Sequence, residues 1–133
     1  MSVSILVVDD EADVAELFRQ RFRRESRQGT YVMHFAGSGE AALAQLSNGI
    51  EPTLIVILSD INMPGMDGLT LLGEIKQRFP TMPVMMVTAY GDDERRRAGE
   101  LGAFEFITKP VDFEQLKKQL CQLPVASAPE APH

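Results

Sequence analysis

The chain of 133 residues, 44% of them hydrophobic, is long enough for one domain with a substantial core, and we do not expect a second domain. Its 13 basic and 19 acidic residues give a net charge of −6, which disfavours nucleic-acid binding through the surface as a whole. A single cysteine, Cys121, excludes an internal disulfide and suits a reducing compartment, and no apolar run approaches the ~20 residues of a membrane helix. Because the N-terminus also lacks the basic segment of a secretory signal, we expect a soluble cytoplasmic protein.

Five apolar runs, separated by segments of helical length, predict five β-strands. The runs cover residues 4–8, 31–36, 53–59, 83–88 and 104–108. Apolar residues recur at helical spacing between them, at Val14, Leu17, Phe18 and Phe22, at Ala41, Ala42 and Leu46, and at Leu69, Leu72, Ile75 and Phe79. The segment 92–101 is weaker because it offers only Ala98 and Leu101, whereas the last segment repeats Phe113, Leu116, Leu120 and Leu123.

Strands that alternate with helices predict a doubly wound α/β fold. Right-handed crossovers between parallel strands place helices on both faces of the sheet, which explains why the central strands are almost continuously apolar. The segment 124–133 is rich in Pro and Ala and has no apolar periodicity. We therefore predict one domain over residues 1–123, followed by a disordered tail or the start of a linker.

Polar side chains stand at the carboxyl ends of four predicted strands. They are Asp9 and Asp10 after the first, Asp60 and Asn62 after the third, Thr88 at the end of the fourth, and Thr108, Lys109 and Pro110 at the fifth. In a doubly wound sheet the functional crevice lies beyond these ends, so we expect the side chains to converge there.

Three carboxylates in one crevice repel one another unless a cation neutralises them. Carboxylate oxygens with no His or Cys nearby suit Mg²⁺ and are a poor match for Zn²⁺. A carboxylate beside a divalent cation and the Lys109 ammonium is a plausible nucleophile towards phosphorus, since both cations stabilise charge on a phosphoryl group in transfer. Asp60 is the central candidate.

Four motifs in this order carry a family resemblance: "ILVVDDE", "SDINMPGMDG", "VTAY" and "ITKP". Over roughly residues 3–123 the chain resembles the receiver domain of two-component response regulators. The resemblance implies a flavodoxin-like (βα)5 fold with a five-stranded parallel sheet in the order 2-1-3-4-5. Each motif alone is weak, but four at the ends of four predicted strands are highly specific.

The resemblance also implies a role for each matching residue. Asp60 would accept a phosphoryl group from a sensor histidine kinase or a histidine phosphotransfer protein. Mg²⁺ would be held by Asp9, Asp10, Asp60 and the backbone carbonyl of Asn62. Lys109 and Thr88 would contact the phosphoryl group, and Tyr90 would turn inward as Thr88 moves. The Lys109–Pro110 peptide bond is expected to be cis, a conformation that X-Pro bonds reach cheaply.

The implied function is a phosphorylation switch and not an enzyme with a separate substrate, although the domain would catalyse its own dephosphorylation. Its output surface would surround the 92–101 segment and the fifth strand and act on an effector protein or a fused output domain. The resemblance implies no direct nucleic-acid binding and no membrane contact, and it allows a homodimer. Whether the chain stands alone or belongs to a larger regulator stays open.

Two other classes of protein use similar groups or the same fold. An aspartyl-phosphoenzyme phosphatase uses similar groups but usually requires a second catalytic Asp two residues after the nucleophile, where this chain has Asn62. A flavodoxin-like flavin protein requires a Ser/Thr/Gly phosphate-binding loop after the first strand. This chain has the acidic "DDEAD" there, which repels phosphate unless a metal ion intervenes.

Several residues also have a purely structural interpretation. Asp9 and Asp10 seen alone are typical of residues that cap a helix, and Thr88 and Lys109 of polar strand ends. Tyr90 alone is typical of loop packing. The arginine cluster at 19–27 is typical of a solvated face, or of a basic edge that selects an acidic phosphodonor.

Overall fold

The structure, a computed structural model, describes residues 3–50, 54–88, 96–97, 99–103, 105–108 and 110–121. The strands are β1 (Val3–Val8), β2 (Tyr31–Ala36), β3 (Leu54–Asp60), β4 (Val84–Thr88) and β5 (Glu105–Thr108). The helices are α1 (Ala12–Arg21), α2 (Arg23–Arg27), α3 (Gly39–Asn48), α4 (Gly68–Arg78) and α5 (Phe113–Cys121). Residues 96–97 and 99–100 are also helical, within the predicted segment 92–101.

The five strands form one sheet in the order β2-β1-β3-β4-β5, and every neighbouring pair is parallel. The predicted α/β fold and its strand order are confirmed. Because all strands run the same way, their carboxyl ends lie along one edge of the sheet. Val8, Asp60 and Thr88 are the last residues of three adjacent strands at that edge.

Two cores cover the two faces of the sheet. On one face Phe18, Phe22 and Phe113 from α1, its C-cap and α5 pack together, and the rings of Phe18 and Phe113 lie edge to face at 5.0 Å. On the other face α3 and α4 bury side chains such as Leu72 and Ile75, which are fully inaccessible. Each such side chain contributes about 1.5–3 kcal/mol to the free energy of unfolding, so the packing fixes the sheet that carries the site.

The structure corrects several details of the sequence-based expectations. The first helix ends at Arg21, and a separate short helix, α2, occupies part of the polar segment that follows. Leu17 belongs to the predicted apolar stripe but is 39% exposed, whereas Phe18 of the same stripe faces the core as predicted. The third strand runs one residue further than predicted, so Asp60 is its last residue.

Other predictions fall outside the described residues: Ala98, Leu123 and the tail 124–133. The predicted domain boundary at residue 123 therefore stays a prediction. None of the helices in the described part of the chain has both the length and the apolar character needed to span a bilayer.

Candidate functional site

Three aspartates lie together at the carboxyl edge of the sheet. One carboxylate oxygen each from Asp9, Asp10 and Asp60 falls within 4.8 Å of the other two. The topology produces this cluster, because β1 and β3 are neighbouring strands and Val8 is paired with Ser59. The aspartates that follow these two residues therefore lie side by side. Asp60 is only 6% exposed, Asp9 is half-buried and Asp10 is exposed, so the cluster leads from solvent to a buried carboxylate.

The backbone around Asp60 is fixed from two directions. The Ile61 amide donates to the Val87 carbonyl oxygen at 3.3 Å, and the Gly68 amide donates to the Ile61 carbonyl oxygen at 2.7 Å. The Ser59 hydroxyl also donates to the Asp60 carbonyl oxygen at 3.0 Å. These hydrogen bonds tie the end of β3 to β4 and to the start of α4, which holds the position of the Asp60 carboxylate.

Gly68 makes this arrangement sterically possible. A Cβ at this position would overlap the backbone of Asp60 and Ile61, including the Asp60 carbonyl oxygen. Gly68 is also the first residue of α4, following the N-cap Asp67 whose side chain accepts from the Thr70 amide. The close approach depends on how the turn folds back on β3, and no sequence signal specifies it.

The aspartates after β1 do not occupy the cap position of α1. The N-cap residue is Glu11, which makes no side-chain cap hydrogen bond. Asp9 accepts from the Glu11 amide at 2.9 Å, and its own amide donates to the Ala36 carbonyl oxygen at 3.1 Å. The loop thus turns both acidic side chains towards Asp60, as the shared cluster shows.

The other predicted residues lie around this cluster or outside the described residues. Thr88 is fully buried at the end of β4 and is paired in register with Thr108. Asn62 is exposed in the turn after β3, and Pro110 is exposed after β5. Tyr90, Lys109 and the Lys109–Pro110 peptide bond fall outside the described residues.

The aspartate cluster suits a hard divalent cation. Its donors are three carboxylates, which agrees with the preference of Mg²⁺ for oxygen, and no His or Cys belongs to the cluster found among the described residues. The cation would relieve the repulsion among acids held this close together.

A cavity of about 420 Å³ adjoins Asp60 between α1 and the segment after β5. Its lining is mostly apolar and includes Val14, Leu17 and Val111, with Asp9 and Asp60 at one end. A large group could therefore approach the buried carboxylate along an apolar wall provided by α1.

A family model described as the response regulator receiver domain matches residues 5–121. The chain is 38% identical over 112 residues to the DNA-binding transcriptional regulator NtrC of Salmonella typhimurium, covering 84% of this chain and 22% of NtrC. It is 38% identical over 107 residues to the transcriptional regulatory protein ResD of Bacillus subtilis, covering 80% of this chain and 41% of ResD. The chain thus spans less than half the length of these two curated relatives.

Solved structures give the same result for the fold. The response regulator protein TrrA of Thermotoga maritima, in complex with Mg²⁺ and BeF, superposes with a TM-score of 0.78 at 31% identity. The superposition covers 93% of this chain and 100% of TrrA. These matches favour the receiver domain over the phosphatase and the flavin protein as the class to which the site belongs.

Proposed function

The chain belongs to the response regulator receiver domain family, the signalling domain of two-component systems, and from that premise we propose that Asp60 is its phosphoacceptor. The observation that carries the proposal is the cluster in which the buried Asp60 carboxylate lies within 4.8 Å of those of Asp9 and Asp10. Asp60 is the only member of this cluster at the end of a strand and below 9% exposure.

We propose that the donor is a phosphorylated histidine of a sensor kinase or a histidine phosphotransfer protein. An Asp60 carboxylate oxygen forms the new O–P bond while the P–N bond of the donor breaks. The released imidazole keeps the electron pair of that bond and takes up a proton. The anchored backbone of β3 supports this step, because a nucleophile held in place avoids part of the entropy loss of reaching the transition state.

Asp9, Asp10, Asp60 and the backbone carbonyl of Asn62 would hold Mg²⁺ in this chain. When bound, the ion supplies positive charge that stabilises the phosphoryl oxygens during transfer. The donor set supports the assignment, and the TrrA structure contains Mg²⁺ with BeF. The Asp9 and Asp10 side chains would otherwise repel an incoming phosphoryl group.

The response to phosphorylation is assigned to groups beyond the metal ligands. Lys109 pairs with the phosphoryl group, with the Lys109–Pro110 bond cis, and the Thr88 hydroxyl bonds it while Tyr90 moves into the space that Thr88 leaves. The position of Thr88 supports this role, because it is buried at the end of β4, the strand that pairs with β3 and its terminal Asp60. Hydrolysis of the Asp60 phosphate by the domain itself would return the switch to its resting state.

The partners follow from the same proposal. The surface around residues 92–101 and β5 changes its binding and acts on an effector protein or a fused output domain, with no direct contact to nucleic acid or membrane. Pairing of two receivers is compatible with this output. The cytoplasm is the compartment that suits its kinase partner and its single cysteine.

Intact-protein mass spectrometry tests the phosphoacceptor. With acetyl phosphate and Mg²⁺, the wild-type chain should gain one phosphoryl group, and Asp60→Asn should gain none because the amide is not an anionic nucleophile. Removing one of three mutually repelling acids should also raise the stability of the unmodified protein by about 1 kcal/mol. An undiminished adduct on Asp60→Asn would mean that another residue is the nucleophile.

A further inference from the structure

The outer edge of β2 offers backbone hydrogen-bonding groups in a defined register. Among the described strands, β2 lies at the edge of the sheet and pairs only with β1. The carbonyl oxygens of Thr30 and Ala36 accept from amides at the two ends of β1, so the even-numbered residues of this segment face β1. Because successive residues of a strand face opposite sides, Tyr31, Met33 and Phe35 direct their N–H and C=O groups outward.

One outward group is already occupied, and this sets the length of the available edge. The Gln45 side-chain amide donates to the Phe35 carbonyl oxygen at 2.8 Å. The remaining outward-facing part of the edge runs over Tyr31 and Met33. This length suits a short extended segment of about four or five residues, given a strand rise of about 3.3 Å per residue.

A row of arginines runs beside this edge. Arg19, Arg23 and Arg27 are exposed, are spaced by four residues and line a groove of about 510 Å³ together with residues of β2. The Arg19 guanidinium lies 4.4 Å from the centroid of the Phe35 ring, which places one end of the row directly over the strand. The groove therefore combines a strand edge, half-buried apolar side chains and a cationic wall.

The charge of this region is opposite to that of the rest of the molecule. The nine residues from 19 to 27 contain five arginines and one glutamate, a net +4. Because the whole chain carries −6, the residues outside this segment carry −10. An anionic partner would be directed to the groove and repelled elsewhere.

We infer that the outer edge of β2 binds an acidic peptide segment in extended conformation, which adds to the sheet as a sixth strand. Alternate residues of such a strand are separated by about 6.6 Å, and helical residues four apart by about 6 Å. Carboxylates at every second position of the peptide can thus match Arg23 and Arg27, which lie four residues apart within α2, and Arg19 at the end of α1 extends the row beyond the break at Phe22. Main-chain hydrogen bonds supply affinity, and the charge pattern supplies specificity.

The charge pattern argues against two other occupants. A second copy of the chain at this edge would bring the two arginine rows, each part of a +4 segment, against each other. A single-stranded nucleic acid would need exposed aromatic faces for stacking, and the ring of Phe35 in this groove is already covered by Arg19.

Fluorescence anisotropy on the intact chain tests the inference. The probe is a labelled ten-residue peptide that alternates Glu and Thr, and its comparison is the same peptide with Gln in place of Glu. Only the Glu peptide should bind. Arg23→Glu should weaken binding by roughly tenfold or more, the scale of one charged hydrogen bond, while Arg24→Glu should have a much smaller effect. Arg24 makes a matched control because it is exposed on the same helix and, unlike Arg23, lines the cavity towards α5 without lining the groove beside β2.

N-methylated peptides test the strand pairing separately. The Glu amides of the peptide face one side of an extended chain and the Thr amides the other, so methylation of one set should abolish binding and methylation of the other set should leave it intact. Equal binding of the two methylated peptides, or equal effects of the two arginine variants, would overturn the inference. Tighter binding of an unstructured ten-nucleotide DNA, lost in Arg23→Glu, would assign the groove to nucleic acid and overturn it as well.

This groove is independent of the proposed phosphoacceptor. Asp60→Asn should bind the peptide as tightly as the wild type, since β1 separates β2 from β3 in the sheet. Failure of the peptide to bind would leave the phosphorylation of Asp60 unaffected, and the reverse also holds.

Discussion

The backbone position of Asp60 depends on Gly68, a neighbour that has no side chain. The Asp60 backbone is in contact with the first residue of α4, where Gly68 leaves no space for a side chain. This glycine also holds the turn after β3 against the start of α4, because its amide donates to the Ile61 carbonyl oxygen. The position of the Asp60 carboxylate is therefore a property of packing as well as of sequence.

Gly68→Ala should destabilise the protein by about 1–3 kcal/mol, the usual range for an overpacked site. The added Cβ would meet backbone atoms, which cannot rotate away as a flexible side chain could. Thermal or urea unfolding followed by circular dichroism measures the loss. Gly73→Ala in the same helix is the control: apart from its chain neighbours and its own helix backbone, no heavy atom of the described residues lies within 4 Å of its Cβ position, so the substitution should be neutral or stabilise by up to ~1 kcal/mol. Equal effects of the two changes would show that the close approach at Gly68 is unimportant.

Thr88→Ala should separate phosphorylation from its consequences. The substitution leaves Asp60 and the proposed metal ligands in place, so the aspartate should still be modified. It removes a hydroxyl whose bond to the phosphoryl group would exist only in the active state, which should reduce the population shift by about 1–3 kcal/mol.

Backbone NMR of wild type and Thr88→Ala, each saturated with beryllofluoride and Mg²⁺, measures that loss. The wild type should show shift changes across residues 88–108, and the variant should show much smaller ones. Identical changes in both proteins would mean that Thr88 does not couple the site to that surface.

At the scale of elements, α1 combines a buried and an exposed apolar side. Phe18 packs into the core, whereas Leu17 is 39% exposed and lines the cavity that leads to Asp60. An exposed leucine at the mouth of an apolar cavity suits contact with a partner protein. In the proposed function that partner is the histidine donor, which must bring its phosphoryl group to the same cavity.

Leu17→Ser should slow phosphoryl transfer from a histidine phosphotransfer protein by roughly tenfold or more, since one buried leucine in an interface contributes on the order of 1.5–3 kcal/mol. Transfer from acetyl phosphate should not change, because the small donor needs no protein interface. Rates from radiolabelled donors measure both. Leu101→Ser is the matched control, as Leu101 is 41% exposed and lies next to α4 instead. An equal loss with both donors would point to damage at the site itself.

The elements could be predicted from sequence where one periodicity dominates. The strand 31–36 was predicted with the bounds the structure shows, and the apolar stripe of α4 was placed correctly on the core side. The end of α1 was harder, because the polar segment after Phe22 supports both a loop and a helix. The buried ring of Phe22 decides the outcome, since its packing against Tyr31 and Phe113 bends the chain before α2 begins.

At the scale of the whole molecule, the sequence predicts the aspartate cluster because topology determines it. Parallel strands end at one edge, so acids that follow β1 and end β3 must meet there. The backbone contacts of Gly68 and the groove beside β2 could not be predicted in this way. Both depend on how a turn or a helix is oriented against the sheet. The sequence of an arginine cluster does not indicate whether its side chains face solvent or a strand edge.

The cluster should also make the stability of the whole domain depend on Mg²⁺. An ion that binds the folded chain raises the free energy of unfolding by about 2.7 kcal/mol at one hundred times its dissociation constant, and the increment grows with the logarithm of free ion. Melting temperatures should therefore rise with Mg²⁺ concentration, fall with excess chelator and show no requirement for Zn²⁺. Asp10→Ala should reduce the increment, because it removes the exposed member of the three neighbouring carboxylates. Melts that coincide with and without Mg²⁺, and an Asp10→Ala variant that responds as the wild type does, would mean that repulsion among these acids is relieved in another way.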